Sequence, residues 1–206
     1  MINSVIITGN KGLIGSFLED FLLKQNYEVI GIDKEINLSL EKNVKDFMKS
    51  NKDSFHLINA FALNDHIKKK RETYDPLKSP LSNFQDYMNI NLTSLYSVCR
   101  QFILTRKQGS IINFSSIYGL LSPDPNIYNK NAKKEIGYPV SKTGVISLSN
   151  YFAANYAPNF RVNTLALGGI SNKQDEVFIK NYSKKVPLQR MMNISELLPA
   201  ISFLLD

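Results

Sequence analysis

Tyr138 and Lys142 stand four residues apart in Tyr138-Pro139-Val140-Ser141-Lys142. On a helix that spacing puts a phenol and an ammonium group on one face. An isolated tyrosine is a poor base near neutral pH because its reference pKa is about 10. Positive charge close by favours phenolate and lowers that value, so the pair has the ingredients of a proton-transfer site. Ser115-Ser116 closes the apolar run Ile111-Ile112-Asn113-Phe114. The C-terminal end of a strand is where an open α/β sheet presents reactive groups.

A second pattern suits a phosphate. Thr8-Gly9-Asn10-Lys11-Gly12-Leu13-Ile14-Gly15 spaces its glycines by three, between a β-branched run and a segment with Phe17, Leu18, Phe21 and Leu22 at helical spacing. Glycine permits the tight turn and lets a pyrophosphate approach the amides at a helix N-terminus, which points to dinucleotide binding. Asp33 ends the next apolar run, where a carboxylate accepts from the ribose 2′-hydroxyl of NAD and repels the 2′-phosphate of NADP. NAD is therefore favoured over NADP, although Lys11 and Lys34 are cations within reach of a 2′-phosphate. The plain alternatives are a glycine turn used only for packing and an aspartate at a solvated strand end.

Holding these groups in place requires alternating strands and helices. Short β-branched or apolar runs predict strands at residues 4–8, 27–32, 55–59, 110–114 and 161–165. Helical spacing predicts helices over 15–24, 44–50, 84–105, 138–156 and 196–204, the last capped by Ser195. Strands joined through helices run parallel, so the fold is α/β with a parallel sheet. Residues 64–82 and 122–137 are polar loops, the second broken by Pro123 and Pro125. Only two residues separate Asp33 from Ile36-Asn37-Leu38, against the roughly dozen a helical crossover needs, so a third strand there is reduced to a stub. A C-terminal strand is expected to be missing, because the chain stops just after an apolar helix. With no linker or internal repeat, residues 1–206 form one domain.

Composition narrows the function classes. A net charge of +7 could suggest nucleic acid, but the charges are scattered, which argues against such a partner. The one dense run, Lys68-Lys69-Lys70-Arg71, reads as a solvated loop or as an attractor for an anionic substrate. No segment has the roughly 20 apolar residues of a membrane span and the N-terminus lacks a secretory pattern, so a cytoplasmic location without membrane association is expected. Cys99 cannot pair within the chain and reads as a small buried hydrophobe. His56 and His66 have no cysteine or histidine cluster around them, so no metal is expected.

Over nearly all its length the chain resembles the short-chain dehydrogenase/reductase family. The matching patches are Thr8-Gly9-x-x-Gly12-x-x-Gly15, Asp33, Leu57-Ile58-Asn59-Ala60, Asn89-Ile90-Asn91-Leu92, Ile112-Asn113-Phe114-Ser115-Ser116, Tyr138-x-x-x-Lys142 and Arg161-Val162-Asn163. The resemblance implies a Rossmann-like doubly wound parallel sheet with helices on both faces. It implies Tyr138 as general acid/base, with Lys142 lowering its pKa and binding the nicotinamide ribose. Ser116, which opens Ser116-Ile117-Tyr118-Gly119, would hold the substrate oxygen, and Asn91 would complete a proton relay through water. For the cofactor it implies Gly9, Gly12, Leu13, Ile14 and Gly15 at the phosphate turn and Asp33 beyond it. Asn59 and Ala60 would lie at the adenosine ribose, Asn37 and Leu38 at the adenine, and the Ile170 backbone at the nicotinamide carboxamide.

Three departures from the family pattern matter. Phe61 replaces a glycine and could crowd the cofactor channel; Leu167-Gly168-Gly169 replaces Pro-Gly and could loosen the loop over the nicotinamide. The 122–137 loop is longer than in simple members and is expected to shape the substrate site. The implied activity is an NAD(P)-dependent oxidoreductase interconverting a hydroxyl and a carbonyl on a small molecule, with a sugar-related substrate as in similar chains of bacterial surface-polysaccharide or flagellin-glycan pathways. A nucleotide-sugar epimerase or dehydratase that retains NAD, and a non-catalytic dinucleotide-binding relative, are the alternatives. Pairing through the long helices would give a homodimer or homotetramer.

Overall fold

The computed structural model describes residues 4–64, 75–128 and 132–206. The basic run at 68–71 and His66 lie outside the described residues. Five strands, β1 (Ser4–Thr8), β2 (Glu28–Ile32), β3 (His56–Asn59), β4 (Gly109–Ser116) and β5 (Phe160–Leu167), form one parallel sheet in the order β2-β1-β3-β4-β5. From β1 the chain goes first to one side and then to the other. The order therefore reverses at the C-terminal ends of β1 and β3, where open α/β sheets bind their ligands.

Helices cover both faces: α1 (Leu13–Lys24), α2 (Glu41–Ser50), α3 (Leu81–Met88), α4 (Ser94–Leu104), α5 (Gly137–Tyr156), α6 (Glu176–Ser183) and α7 (Leu198–Leu205). The period of two along a strand sends Ile6, Leu57 and Ile111 toward α2, α4 and α5, where they meet Val44, Val98, Phe102, Val145 and Phe152. It sends Val5, Ile7, Ile58 and Ile112 the other way, onto Leu18 and Leu22 of α1 and Ile201 of α7. Because both faces are covered, β1, β3 and β4 are buried at every position and lack the apolar/polar alternation of a half-exposed sheet. Cys99 is buried in the first of these cores, as expected of a small hydrophobe.

Four local features differ from the sequence expectation. The 84–105 helix is instead α3 and α4 joined by a π-helical turn, Asn89–Thr93. Residues 36–38 are not a strand; Ile36 and Leu40 close successive turns on the Asp33 and Asn37 carbonyls, and Leu38 packs against the core. Helix α6 was not anticipated. The last helix is preceded by a 3₁₀ turn, Ile194–Leu197, whose cap is Asn193 rather than Ser195. Asn193 accepts the Ser195 N–H, and Glu196 closes a capping box behind it. Among the described residues no helix is long and apolar enough to cross a membrane.

His56 opens β3 and is buried edge-on between Tyr27 and Phe55, with its Nδ1 unbonded among the described residues. Burial first, and the Arg161 charge second, push its pKa from 6.5 down to about 4. The unfolded chain takes up this proton near pH 6.5 while the folded chain refuses it until about pH 4, so stability drains away as pH falls through that window. His56→Leu is expected to flatten that part of a urea-unfolding profile; an unchanged slope would show that His56 is not its source.

Candidate active site

Strand β4 and helix α5 build the centre of the site. Ser115 Oγ donates to the Lys142 carbonyl at 2.7 Å, and Lys142 Nζ donates to the Phe114 carbonyl at 2.8 Å. The end of β4 thus grips one lysine at its backbone and at its ammonium. One helical turn earlier Tyr138 shares that face, its ring centroid 5.8 Å from Nζ. Ser116 Oγ accepts the Tyr118 N–H at 3.1 Å and lies beside the Tyr138 phenol, whose pKa it lowers. The structure therefore separates the two serines: Ser115 anchors the helix and Ser116 faces the phenol.

The electrostatics correct one expectation. Tyr138 is pushed above its ordinary pKa by burial, with the Ser116 hydrogen bond pulling the other way, so in the chain alone the phenol keeps its proton at neutral pH. The Lys142 ammonium donates to the Phe114 carbonyl, 5.8 Å from the ring centroid of this phenol. Lys142 itself is buried, which pushes it down to about 8.

Asn91 lies in the π-turn, a one-residue widening that often marks functional sites. Its side chain is buried and bonded through both its oxygen and its nitrogen. Oδ1 accepts the Leu63 N–H at 2.6 Å, while Nδ2 donates to the Leu63 carbonyl at 3.0 Å and to Ser141 Oγ at 3.1 Å. What Asn91 does is clamp the chain after β3 to α5, since Ser141 in turn donates to the Tyr138 carbonyl.

At the switch point the glycine turn has the shape of a phosphate cradle. Gly9 has φ +75°, and an added Cβ there would lie 2.5 Å from the Phe61 nitrogen. A Cβ on Gly15 would lie 2.1 Å from the Gly9 carbonyl oxygen. Gly12 caps α1 without a side-chain acceptor, so the first-turn N–H groups, including those of Leu13 and Ile14, have no carbonyl one turn back. A dinucleotide's pyrophosphate fits such a set of donors. Asp33 stands beside it, with Oδ2 accepting the Lys11 N–H at 3.1 Å. The Lys11 ammonium pairs with Glu35, whose other oxygen accepts the Asp33 N–H at 3.2 Å.

Other expected cofactor residues are placed differently. The Asn59 side chain is buried in the sheet, accepting from Thr8 Oγ1 and donating to Asn113 Oδ1, each at 2.8 Å, and Asn113 continues to Ser149 of α5 at 2.9 Å. That amide is spent within the sheet. Ala60, the next residue, is half-buried at the end of β3 and donates its N–H to Thr8. The Asn37 amide oxygen is spent on the Ser39 N–H. Phe61 packs its ring against the same core as Leu38. The Ile170 carbonyl accepts from Gln174, and Ile170 bridges to Met192. The loop over this region is not loosened by the lost proline, because Tyr182 Oη accepts the Gly169 N–H at 2.6 Å.

Sequence reasoning passed over several residues here. Glu35 could have been found as a second carboxylate two positions after Asp33. Lys134 Nζ sits 4.6 Å from the Tyr138 ring centroid and also donates to Asn64. Tyr118 and Tyr128 join their hydroxyls at 2.9 Å, a contact no spacing rule foretells. A separate 370 Å³ depression lies at the opposite end of the strands, lined by Lys52–Phe55 and 105–108. Its Arg106 donates to the Asn51, Ser54 and Phe102 carbonyls and so staples loops together rather than offering a reactive group. Among the described residues no group of histidines, cysteines and carboxylates could hold a metal ion.

A family model described as Enoyl-(Acyl carrier protein) reductase matches residues 22–206. The chain belongs to the short-chain dehydrogenase/reductase family. Like the rest of that family of NAD(P)-dependent oxidoreductases, it pairs its Tyr-x-x-x-Lys helix with a parallel sheet. It is similar to a short chain dehydrogenase from Leptospira borgpetersenii solved with bound NAD+, with a TM-score of 0.87 and 29% identity, covering 99% of this chain and 85% of that one. It is 32% identical over 124 residues to the post-translational flagellin modification protein A of Campylobacter coli, a match spanning 58% of this chain and 48% of that protein. It is 25% identical to the 3-oxoacyl-[acyl-carrier-protein] reductase FabG of Buchnera aphidicola, across 98% of this chain and 88% of that one.

Burial of Lys142 has a measurable consequence in this dehydrogenase/reductase. A lysine that keeps its proton to pH 10.5 unfolded but only to about 8 folded weakens the fold below pH 8, and that cost fades as pH rises from 8 toward 10.5. Lys142→Met is expected to match or exceed the parent chain in stability at pH 7, by up to about 3 kcal/mol. Its advantage should shrink by pH 10 in guanidinium unfolding. A variant less stable at pH 7 than at pH 10, relative to the parent, would contradict this.

Proposed function

We propose that this chain is an NAD-dependent oxidoreductase interconverting a hydroxyl and a carbonyl, with Tyr138 as the proton-transferring residue. The observation carrying the reading is the buried Lys142 ammonium 5.8 Å from the Tyr138 ring centroid, gripped by the end of β4 where Ser116 lies beside the phenol. Ser116 and Tyr138 converge as two donors for one substrate oxygen, stabilising the charge that develops there. In reduction Tyr138 gives its proton to that oxygen, and in oxidation it takes the proton back. Lys142 offers the positive charge that supports phenolate once the proton has left. Asn91 acts as a positioning residue by clamping Leu63 and Ser141 beside the phenol.

Gly9, Gly12, Leu13, Ile14 and Gly15 would hold the pyrophosphate, and NAD, when bound, supplies the nicotinamide ring that gives or accepts hydride. Two carboxylates, Asp33 and Glu35, at the end of β2 support NAD over NADP, because Glu35 neutralises the Lys11 ammonium and both would repel a 2′-phosphate. The NAD+ bound to the Leptospira relative agrees with that choice.

For the substrate, the reading is a sugar-related hydroxyl or ketone in the cytoplasm. The phenol hydroxyls of Tyr118 and Tyr128 beside the site support it, as does the likeness to a protein named for flagellin modification. A 3-oxoacyl thioester is the second reading, favoured by the full-length likeness to the Buchnera reductase. Pairing of two or four chains through α4 and α5 is supported by Tyr96, Leu104, Val140, Tyr151 and Tyr156, all exposed on those helices.

Tyr138→Phe is expected to lower kcat by about 10²- to 10⁴-fold while leaving the NADH dissociation constant within a factor of about two. Steady-state kinetics on a carbonyl panel, with NADH fluorescence titration, checks both. Undiminished turnover in that variant would remove Tyr138 from the chemistry.

A further inference from the structure

Tyr118 and Tyr128 are half-buried, and the Tyr128 hydroxyl donates to Tyr118 Oη at 2.9 Å. Two phenols carry two protons and one bond uses one of them, so one O–H is always left over. As the bond runs, the leftover proton is that of Tyr118, which has no acceptor among the described residues. Tyr118 lies in the 3₁₀ turn Ile117–Gly119, and its own N–H is held by Ser116 Oγ at 3.1 Å. The spare donor is therefore built into the turn that carries the substrate-facing serine. Both phenols are also electrostatically coupled to Tyr138.

This pair is held in place from the other side. Asp124 and Lys185 form an ion pair at 3.0 Å, and the Tyr128 ring packs 5.7 Å from the ring of Phe178 on α6. Ile117, Ile127, Phe178, Tyr182 and Met191 make the surroundings apolar. An O–H in such surroundings is costly to cover with an alkyl chain and satisfied by an oxygen.

We propose that Tyr118, oriented by Tyr128, donates to a second oxygen of the substrate near the reacting carbon, so that the substrate is polyoxygenated rather than a plain alkyl or alicyclic monoketone. The inference rests on the oxidoreductase reading above and gives its substrate class. A site built to bond a substrate hydroxyl discriminates strongly against an analogue lacking it, because its own donor is then buried unpaired. Tyr128 acts as a positioning residue through Tyr118.

The test compares 2-hydroxycyclohexanone with cyclohexanone, and a keto-sugar with its analogue deoxygenated beside the carbonyl, in NADH-dependent reduction by the parent chain, Tyr118→Phe and Tyr128→Phe. The parent is expected to prefer the oxygenated member of each pair by about tenfold or more in kcat/KM. Tyr118→Phe should erase most of that preference while leaving cyclohexanone turnover and NADH affinity within about twofold, and Tyr128→Phe should weaken it less. An equal loss on both members of a pair, or an intact preference in Tyr118→Phe, overturns the inference and leaves the oxidoreductase reading standing. No carbonyl-dependent NADH oxidation on any of the four compounds by the parent chain would overturn both.

Discussion

The site depends on one lysine held at both ends by the end of a strand. Ser115 takes the Lys142 carbonyl and Phe114 takes its ammonium. The first bond sets the position of α5 against β4, and the second draws a charged side chain through the core toward the C-terminal edge of the sheet. With both in place, Tyr138 can sit only one turn away on the same face, where Ser116, the next residue of β4, meets its hydroxyl. A buried ammonium without a carboxylate partner costs stability, and the carbonyl bond offsets only part of that cost. The surrounding fold supplies the remainder through apolar packing on both faces of the sheet.

A second set of buried polar bonds keeps the sheet and that helix in register. Thr8, Asn59, Asn113 and Ser149 form a chain across β1, β3 and β4 into α5. Thr8 immediately precedes the glycine turn, so the phosphate cradle and the Tyr138 helix are joined by hydrogen bonds through the core. Such a network is useful only when every member is satisfied, and here the amides of both asparagines find partners on each side. The result is a preorganised cleft in which two unlike chemistries, anion binding at α1 and proton transfer at α5, face the same strand ends.

The sheet was legible in the sequence because β1, β3 and β4 are buried on both faces and centre on short β-branched or apolar stretches, Val5-Ile6-Ile7, Leu57-Ile58 and Ile111-Ile112. The glycine turn was legible because its backbone demands glycine at Gly9 and Gly15. Tyr138 and Lys142 were legible as spacing and Ser116 through the family resemblance, and the structure brings the three side by side. What spacing does not carry is where a side-chain amide spends its bonds. Asn59 and Asn91 looked like ligand-facing groups, yet one is absorbed by Thr8 and Asn113 across the sheet register and the other by the Leu63 backbone. A π-turn adds one residue to a helix without disturbing its apolar stripe, so 84–105 read as a single helix. The role of Tyr182 in fixing Gly169, in place of the absent proline, joins residues thirteen positions apart and is visible only in three dimensions.

The central claim is that the β1–α1 turn and the two carboxylates after β2 form an NAD site serving the Tyr138 centre. Calorimetric titration of the chain with NADH and NADPH, repeated with Gly12→Asp, tests it most directly. The account expects NADH to bind more tightly than NADPH by about tenfold or more, and both to be lost when a carboxylate occupies the turn. Equal or tighter NADPH binding would contradict the roles of Asp33 and Glu35, and no binding of either would contradict the account as a whole.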